Sequence, residues 1–138
     1  MLARALGALT LILALSTGRA SAQDAAKGQE PVSRGRPLSE WIADLKAAAP
    51  ATRNAAAYEI ASLGPAAKPA VPALIEALDD PDAAVRFPVT VALGEIGPDA
   101  VAAVPRLKQM MFEEINDEIA AAARRAIRHI QPSALAGQ

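Results

Sequence analysis

An all-α fold, an α-solenoid of about three stacked two-helix repeats, is what the 138-residue sequence predicts. The first observation is a repeat: GPAAKPAVPALIEALDD, which begins at Gly64, returns 33 residues later as GPDAVAAVPRLKQMMFE, which begins at Gly97. The second is the spacing of apolar residues by three and four in both copies, which places them on one helical face. One two-helix unit cannot bury such a face alone, so copies at a fixed period are expected to stack into a continuous core.

The first 22 residues have the pattern of a secretory signal peptide. Arg4 gives a positively charged start, residues 5–15 are apolar, and Ala20-Ser21-Ala22 is the small-x-small motif that a signal peptidase cleaves. The eleven apolar residues, at about 1.5 Å of rise each, are too few to cross a hydrocarbon core of roughly 30 Å. The sequence therefore predicts cleavage, a periplasmic or secreted protein and no stable membrane insertion afterwards, with an uncleaved membrane anchor as the alternative.

Charge and composition argue against some partners and linkages. Cleavage would remove two of the 14 basic residues, leaving 12 against 15 acidic residues and a net charge of −3. Nucleic-acid binders usually show a basic excess, so we expect no nucleic-acid partner. The sequence contains no cysteine, which excludes a lipoprotein anchor and any disulfide.

The repeat domain follows a polar segment. Residues 23–36 are interrupted by Gly and Pro and have no apolar face, so they are predicted to be a flexible linker. The periodic pattern covers residues 37–132, in repeats of about 37–65, 66–98 and 99–132, and leaves a tail of residues 133–138. The apolar positions of the three first helices are Leu38, Trp41, Ile42 and Leu45; Val71, Leu74, Ile75 and Leu78; and Val104, Leu107 and Met111. Those of the second helices are Ala56, Ile60 and Leu63; Val89, Leu93 and Ile96; and, after one inserted residue, Ala123, Ile127 and Ile130.

Helix boundaries are marked by residues that favour helix ends. Asp82 and Asn116 occupy equivalent places and are predicted to be side-chain N-caps of second helices. Gly64 and Gly97 are predicted to supply a left-handed residue just past the preceding helix, and the proline that follows each one is expected to stop it. Pro72 and Pro105 fit the first turns of first helices, where a missing N–H is harmless.

The stretch AVPALIEALDDPDAAVRFPVTVALGEIGP resembles HEAT-like repeats, in particular the short bacterial variety also found in phycobilisome lyase-type proteins. The entry segment PLSEWIADLK is similar to the opening of secreted bacterial HEAT-repeat chains. The resemblance covers about residues 37–132. It implies an armadillo-like helical solenoid and is nearly silent on function, because such repeats occur in scaffolds, adaptors and a few enzymes.

Two departures from the family pattern stand out. The family typically pairs an acid in the inter-helix turn with an Arg early in the second helix. Arg53 and Arg86 match that Arg, but Ala120 replaces it in the third repeat and the first turn, AAAPAT, has no acid, so a partial ladder is expected. Pro88 replaces an Ala of the other repeats and is expected to remove a backbone hydrogen bond, so its helix should either kink, which would re-aim Phe87, or start late.

The sequence contains no pattern typical of an enzyme. His129 is the only histidine and lies near a predicted helix end, while Asp79, Asp80 and Asp82 fit a turn and a cap better than a calcium loop. Trp41 shares its register with core leucines. We therefore expect no catalytic residue, no metal and no cofactor.

The exposed side of the second helices, the inner face in this family, is the predicted binding surface. Its rows across the repeats are Asn54, Phe87, Ala121; Ala57, Thr90, Arg124; Tyr58, Val91, Arg125; and Ala61, Gly94, Arg128. Tyr, Phe and Arg commonly anchor protein partners, although Arg near a helix C-terminus also suits the helix dipole. The predicted partner-binding residues are Asn54, Tyr58, Phe87, Val91, Arg124, Arg125 and Arg128.

These observations predict an exported, non-catalytic scaffold that binds a protein or peptide on the inner face of its solenoid. Two alternatives stay open. One is a lyase-like accessory protein acting toward a tetrapyrrole, which rests on the family resemblance alone. The other is a purely structural spacer, for which the inner face should tolerate any polar substitution.

The exported chain is expected to begin at Gln23, because Ala20 and Ala22 fit the small pockets of the signal peptidase. Intact-mass measurement on protein recovered from the export compartment tests this start. A mass that includes residues 1–22 would instead identify an anchored protein.

Overall fold

The computed structural model describes residues 30–137, so the predicted signal peptide and the first half of the predicted linker lie outside the described residues. The described part contains six α-helices: α1 (Leu38–Asp44), α2 (Pro50–Leu63), α3 (Val71–Ala77), α4 (Ala83–Ile96), α5 (Val104–Glu113) and α6 (Asp117–Ile130). They form three hairpins, α1/α2, α3/α4 and α5/α6, and the second helices α2, α4 and α6 pack side by side. The predicted all-α solenoid of three two-helix repeats is confirmed.

The predicted N-caps form as expected. The carboxylate of Asp82 accepts a hydrogen bond from the backbone N–H of Ala84 at 2.9 Å. The side-chain oxygen of Asn116 accepts from the N–H groups of Glu118 at 3.0 Å and Ile119 at 3.2 Å. Both contacts satisfy donors that a helix N-terminus leaves unpaired.

The glycines past α2 and α4 adopt a different conformation from the one predicted. Gly64 and Gly97 have positive φ values of 56° and 80°, but ψ is −136° and −143°. This region is essentially restricted to Gly, and it is not the left-handed helical region. The chain then continues as 3₁₀-helices, Gly64–Ala70 and Gly97–Ala103, so the proline after each glycine starts a new helical turn rather than ending one.

A single core runs through the three repeats. Its largest fully buried side chains are Leu38, Ile60, Leu74, Leu78, Val85, Val89, Leu93, Ile96, Leu107, Met110, Ile119 and Ile127. Trp41 is 8% exposed and belongs to this core, as its register predicted. The segment Ala83–Glu113 is long and apolar enough to cross a membrane by composition, yet it is broken at Gly97 and 61% of its most apolar window is buried inside the fold.

Small residues allow the second helices to approach closely. A Cβ placed on Gly94 of α4 would lie 3.1 Å from the Cα of Ala126 on α6, which is tighter than ordinary packing. Ala57 and Thr90 are fully buried, and the hydroxyl of Thr90 donates to the Arg86 carbonyl at 2.8 Å. Ala57, Thr90 and Gly94 were predicted to be exposed on the inner face, and this prediction is wrong. They lie in the interior because α2, α4 and α6 pack directly on one another.

A short β-hairpin precedes the first repeat. Strand β1 (Val32–Ser33) pairs antiparallel with β2 (Arg36–Pro37). The hydroxyl of Ser33 donates to the carboxylate of Glu59 on α2 at 2.6 Å. The Trp41 indole donates to the Ser33 carbonyl at 3.2 Å, and the Arg36 guanidinium lies 4.0 Å above the indole ring. The flexible linker was predicted to reach Arg36, but these contacts show that its last residues are part of the folded domain.

Two arginines connect the repeats at the turns. Arg53 of repeat 1 makes a bidentate contact with Asp80 of repeat 2 at 2.7 and 3.1 Å, and also donates to the carbonyls of Ala47 and Ala48 in its own turn. Arg86 of repeat 2 binds Glu114 of repeat 3 in the same way, at 2.9 and 3.0 Å. Each arginine therefore joins its own turn to the acid of the following repeat.

The bridges run from the arginine of one repeat to the acid of the next, and this direction corrects the expectation of a partial ladder. An acid in the first turn would have no preceding arginine to accept from within the three repeats. An arginine at Ala120 would have no following acid among them. Two interfaces need two bridges, and both are present.

The ladder predicts how stability depends on pH. Burial favours the protonated form of Asp80, but hydrogen bonds from Arg53 and from the Asp82 N–H outweigh it and lower the pKa of this carboxyl. Hydrogen bonds from Arg86 lower the pKa of Glu114 against a smaller opposing effect of burial. Carboxyls whose pKa is depressed by folding stabilise the protein above their unfolded pKa values, about 3.9 for Asp and 4.3 for Glu.

We expect the unfolding free energy to be steady near neutral pH and to fall as the pH drops below about 4, because the unfolded chain then binds protons more readily than the folded one. Urea unfolding at a series of pH values measures this. The control is the double variant Asp80→Asn/Glu114→Gln, which should be less stable at pH 7 and should show a flatter acid limb. An acid limb as steep as that of the unsubstituted protein would assign the pH dependence to other carboxyls.

Candidate interaction surfaces

The inner face is the side of α2, α4 and α6 that is turned away from the first helices. Tyr58, Val91 and Arg125 occupy equivalent positions of the three repeats and form a row across it. Tyr58 is 48% exposed, Val91 is half-buried and Arg125 is exposed. The predicted row of an aromatic, an aliphatic and a cationic residue is therefore accessible to a partner.

Two depressions lie along this row. The first, of about 350 Å³, is bounded by Tyr58 of α2 and by the N-terminal turns of α4 and α6; its lining residues include Asn54, Tyr58, Ala84, Phe87, Asn116 and Glu118. Phe87 is half-buried and packs against the core, so it contributes only part of its ring to the depression. It was predicted as an exposed anchor, and the structure makes it mainly a wall of this depression.

The second depression, of about 180 Å³, lies between α4 and α6. Three small residues, Gly94, Ala122 and Ala126, line it where the two helices meet. Its other lining residues are Val91, Glu95, Arg125 and His129. Among residues 30–137, Glu95 and Arg125 make no ion pair within the fold, so both charges are available to a ligand.

Glu95 and His129 were not among the predicted site residues. They lie four residues after Val91 and Arg125, one helical turn further along the same face. Extending the row of Tyr58, Val91 and Arg125 by one turn would have found them. The two depressions together present a phenol, two carboxylates, a guanidinium and an imidazole, which suit recognition of a polar segment.

Asn54 has a structural task. Helix α4 runs without a break from Ala83 to Ile96, with Pro88 buried inside it. Pro88 has no N–H to give to the carbonyl of Ala84, four residues earlier. The side-chain amide of Asn54, on α2 of the preceding repeat, donates to that carbonyl instead. The helix therefore does not start late but continues through Pro88, and a side chain of the neighbouring repeat replaces the missing backbone donor.

Asn54 and Pro88 should be energetically coupled. In the presence of Pro88, Asn54→Ala should cost about 0.5–1.5 kcal/mol, the usual net value of one hydrogen bond. In a Pro88→Ala background the cost should be smaller, because residue 88 then donates its own N–H to Ala84. Denaturant unfolding of the four proteins of this double-mutant cycle gives the coupling. Equal costs in the two backgrounds would contradict the assignment.

Arg124 and Arg128 lie on another surface than the one predicted. Their equivalents in repeat 2, Thr90 and Gly94, are buried, and Gly94 lies against α6 of the following repeat. The two arginines therefore lie on the side of α6 that is turned away from repeat 2. We call this the end face; the residues that line its depression of about 470 Å³ are Met111, Phe112, Arg124, Arg128 and Leu135.

A comparison with known protein families agrees with this architecture. The family model described as HEAT repeats matches residues 38–128, from the start of α1 to near the end of α6. No curated protein and no solved structure matches the sequence. The match supports the resemblance drawn from the repeats and adds no ligand or partner.

Proposed function

Because the chain belongs to the HEAT-repeat family, whose members are generally non-catalytic scaffolds for protein interactions, we propose that it binds a protein or peptide segment on its inner face. The observation that carries the proposal is the accessible row of Tyr58, Val91 and Arg125 beside two depressions. The interior positions of the repeats are occupied by apolar packing, whereas this row changes chemistry from one repeat to the next.

The dimensions of the row fit an extended peptide. Adjacent packed helices lie about 8–10 Å apart, so three second helices span roughly 20 Å between their axes. An extended chain rises about 3.3 Å per residue, so roughly six residues cross the row. Tyr58 offers an apolar surface with a hydroxyl at its end, the kind of side chain that often dominates binding energy. Arg125 and Glu95 at the other end select for complementary charge.

Export is part of the proposal. The signal-like pattern of residues 1–22 supports it. The partner would then be a protein met in the periplasm or outside the cell. The clearest alternative to a binding module is a structural spacer, since a spacer needs no accessible side chain on the inner face.

Photo-crosslinking distinguishes a partner-binding module from a spacer. A photoreactive phenylalanine analogue at position 58 should capture a partner in the export compartment, whereas the same analogue at position 101 should not. Val101 is a matched control because it is 51% exposed, close to the 48% of Tyr58, but lies in a 3₁₀-helix away from the row. Equal capture at both positions, or none at position 58, would contradict a binding role for the inner face.

The captured segment, once identified and synthesised, permits a titration as the second stage of this test. Tyr58→Ala and Arg125→Glu should each weaken its binding by roughly ten-fold, in keeping with the loss of an anchor residue. Lys68→Glu provides a control of equal charge change, because Lys68 is exposed and lies outside the row. Melting curves should be unchanged in all three variants, since none of these side chains is buried.

A further inference from the structure

The end face combines exposed apolar surface with free positive charge. Phe112 is 72% exposed and lines the depression of about 470 Å³ together with Met111 and Leu135. Arg124 and Arg128 lie one turn apart on α6 and complete the lining. Within residues 30–137 neither arginine makes an ion pair or a hydrogen bond in the fold.

The equivalent residues of repeats 1 and 2 show what kind of element fits this surface. In repeats 1 and 2 the equivalents of Arg124 are the fully buried Ala57 and Thr90, in the layer where second helices pack. The equivalents of Phe112 are Lys46 and Asp79, which form ion pairs across the interface with the first helix of the following repeat. In repeats 1 and 2, residues at these positions therefore contact the helices of a neighbouring repeat. The end face therefore has the geometry of a helix-packing surface.

Its charge selects the kind of helix. A second copy stacked end to end would bring its Glu59 toward these arginines. That carboxylate is already paired within its own chain, with the Ser33 hydroxyl and with Arg34 at 2.7 Å. A second copy that met the end face through its own end face would bring four guanidinium groups together, which is repulsive. Carboxylates bind guanidinium groups bidentately and strongly, and an apolar helical stripe fits the surface of Phe112 and Met111.

We propose that the end face is a docking site for an acidic amphipathic helix of another protein. The apolar stripe of that helix covers Phe112, Met111 and Leu135, and its flanking carboxylates bind Arg124 and Arg128. This site is independent of the inner face, because Tyr58, Val91 and Arg125 lie on a different side of the second helices.

The test uses the full chain and two synthetic probes. The first is a fluorescein-labelled peptide of about 18 residues. Its leucines follow the spacing i, i+3, i+4, i+7 and form one stripe along the helix, and its glutamates flank that stripe. The second has Lys in place of every Glu. Fluorescence anisotropy at low ionic strength should show the acidic peptide binding at least ten-fold more tightly than the basic one. Added salt should weaken the acidic peptide, because salt screens exposed charge pairs.

Variants assign the binding to this face. Arg124→Glu/Arg128→Glu should weaken binding of the acidic peptide at least ten-fold, and Phe112→Ala at least three-fold. Both variants should still show cooperative melting curves, because all three side chains are exposed. Lys68→Glu, the charge control, should leave the affinity unchanged. Tyr58→Ala should leave it unchanged as well, and this separates the outcome from that of the inner face.

Three results would overturn the proposal. The first is equal affinity for the acidic and basic peptides, or binding of neither. The second is a loss of affinity in Tyr58→Ala without a loss in the double arginine variant, which would place the peptide on the inner face. The third is self-association of the full chain in sedimentation velocity that Phe112→Ala abolishes, which would assign the end face to a second copy.

Discussion

The close approach of each second helix to the next is the constraint on which the rest of this structure depends. Gly94 and Ala126 meet at a distance that leaves no room for a larger side chain. This contact buries the backbone of α4 between its neighbours and allows an Ala-rich chain to reach a continuous core. Two consequences follow. The interface residues must be small, and contacts between small side chains do little to fix how one repeat is aligned on the next.

The register is supplied by polar contacts at the edges of the interface. Arg53 and Arg86 each bind a carboxylate of the following repeat and the carbonyls of their own turn. Removing four partly buried charged groups from water offsets much of the energy that these bridges gain. Their main effect is directional, because a bidentate contact is lost when one repeat slides or rotates relative to the next.

The hydrogen bond from Asn54 to the Ala84 carbonyl, the acceptor that Pro88 leaves without a donor, is a further polar contact between repeats. A proline inside a helix is tolerated when another donor replaces the N–H that it lacks. Here the donor comes from the preceding repeat, so an irregularity in α4 becomes a further contact between repeats. The departure from the repeat pattern at Pro88 therefore has a structural explanation and gives no evidence for a binding site.

Prediction from the sequence worked where the chemistry of a residue allows only one role. The leucines of the repeats, Asp82 and Asn116 are in this class, and the structure confirms their places. It failed where a residue fits several roles. Small residues suit both buried and exposed positions, so Ala57 and Gly94 did not reveal that their positions are buried, and Arg124 and Arg128, the residues of their rows in repeat 3, were placed on the wrong face as a result.

Contacts between different repeats were also beyond the sequence. Asn54 and Ala84 are 30 residues apart, and their contact depends on a helix separation that no periodicity states. The hairpin at residues 32–37 is too short to show an alternating pattern, and Glu59 and Trp41 add contacts from the helices to the pairing of its two strands. Both features depend on tertiary structure.

The arginines at the end face also disfavour one kind of occupant. A further repeat of the same kind would have to bury Arg124 and Arg128 in the layer where Thr90 and Gly94 fit in repeat 2. Burying two unpaired guanidinium groups costs several kcal/mol. A helix that carries carboxylates avoids this cost, because it pairs the charges as it covers Phe112. The substitution of two large cations for two small residues therefore changes a surface that stacks repeats into one that distinguishes partners by charge.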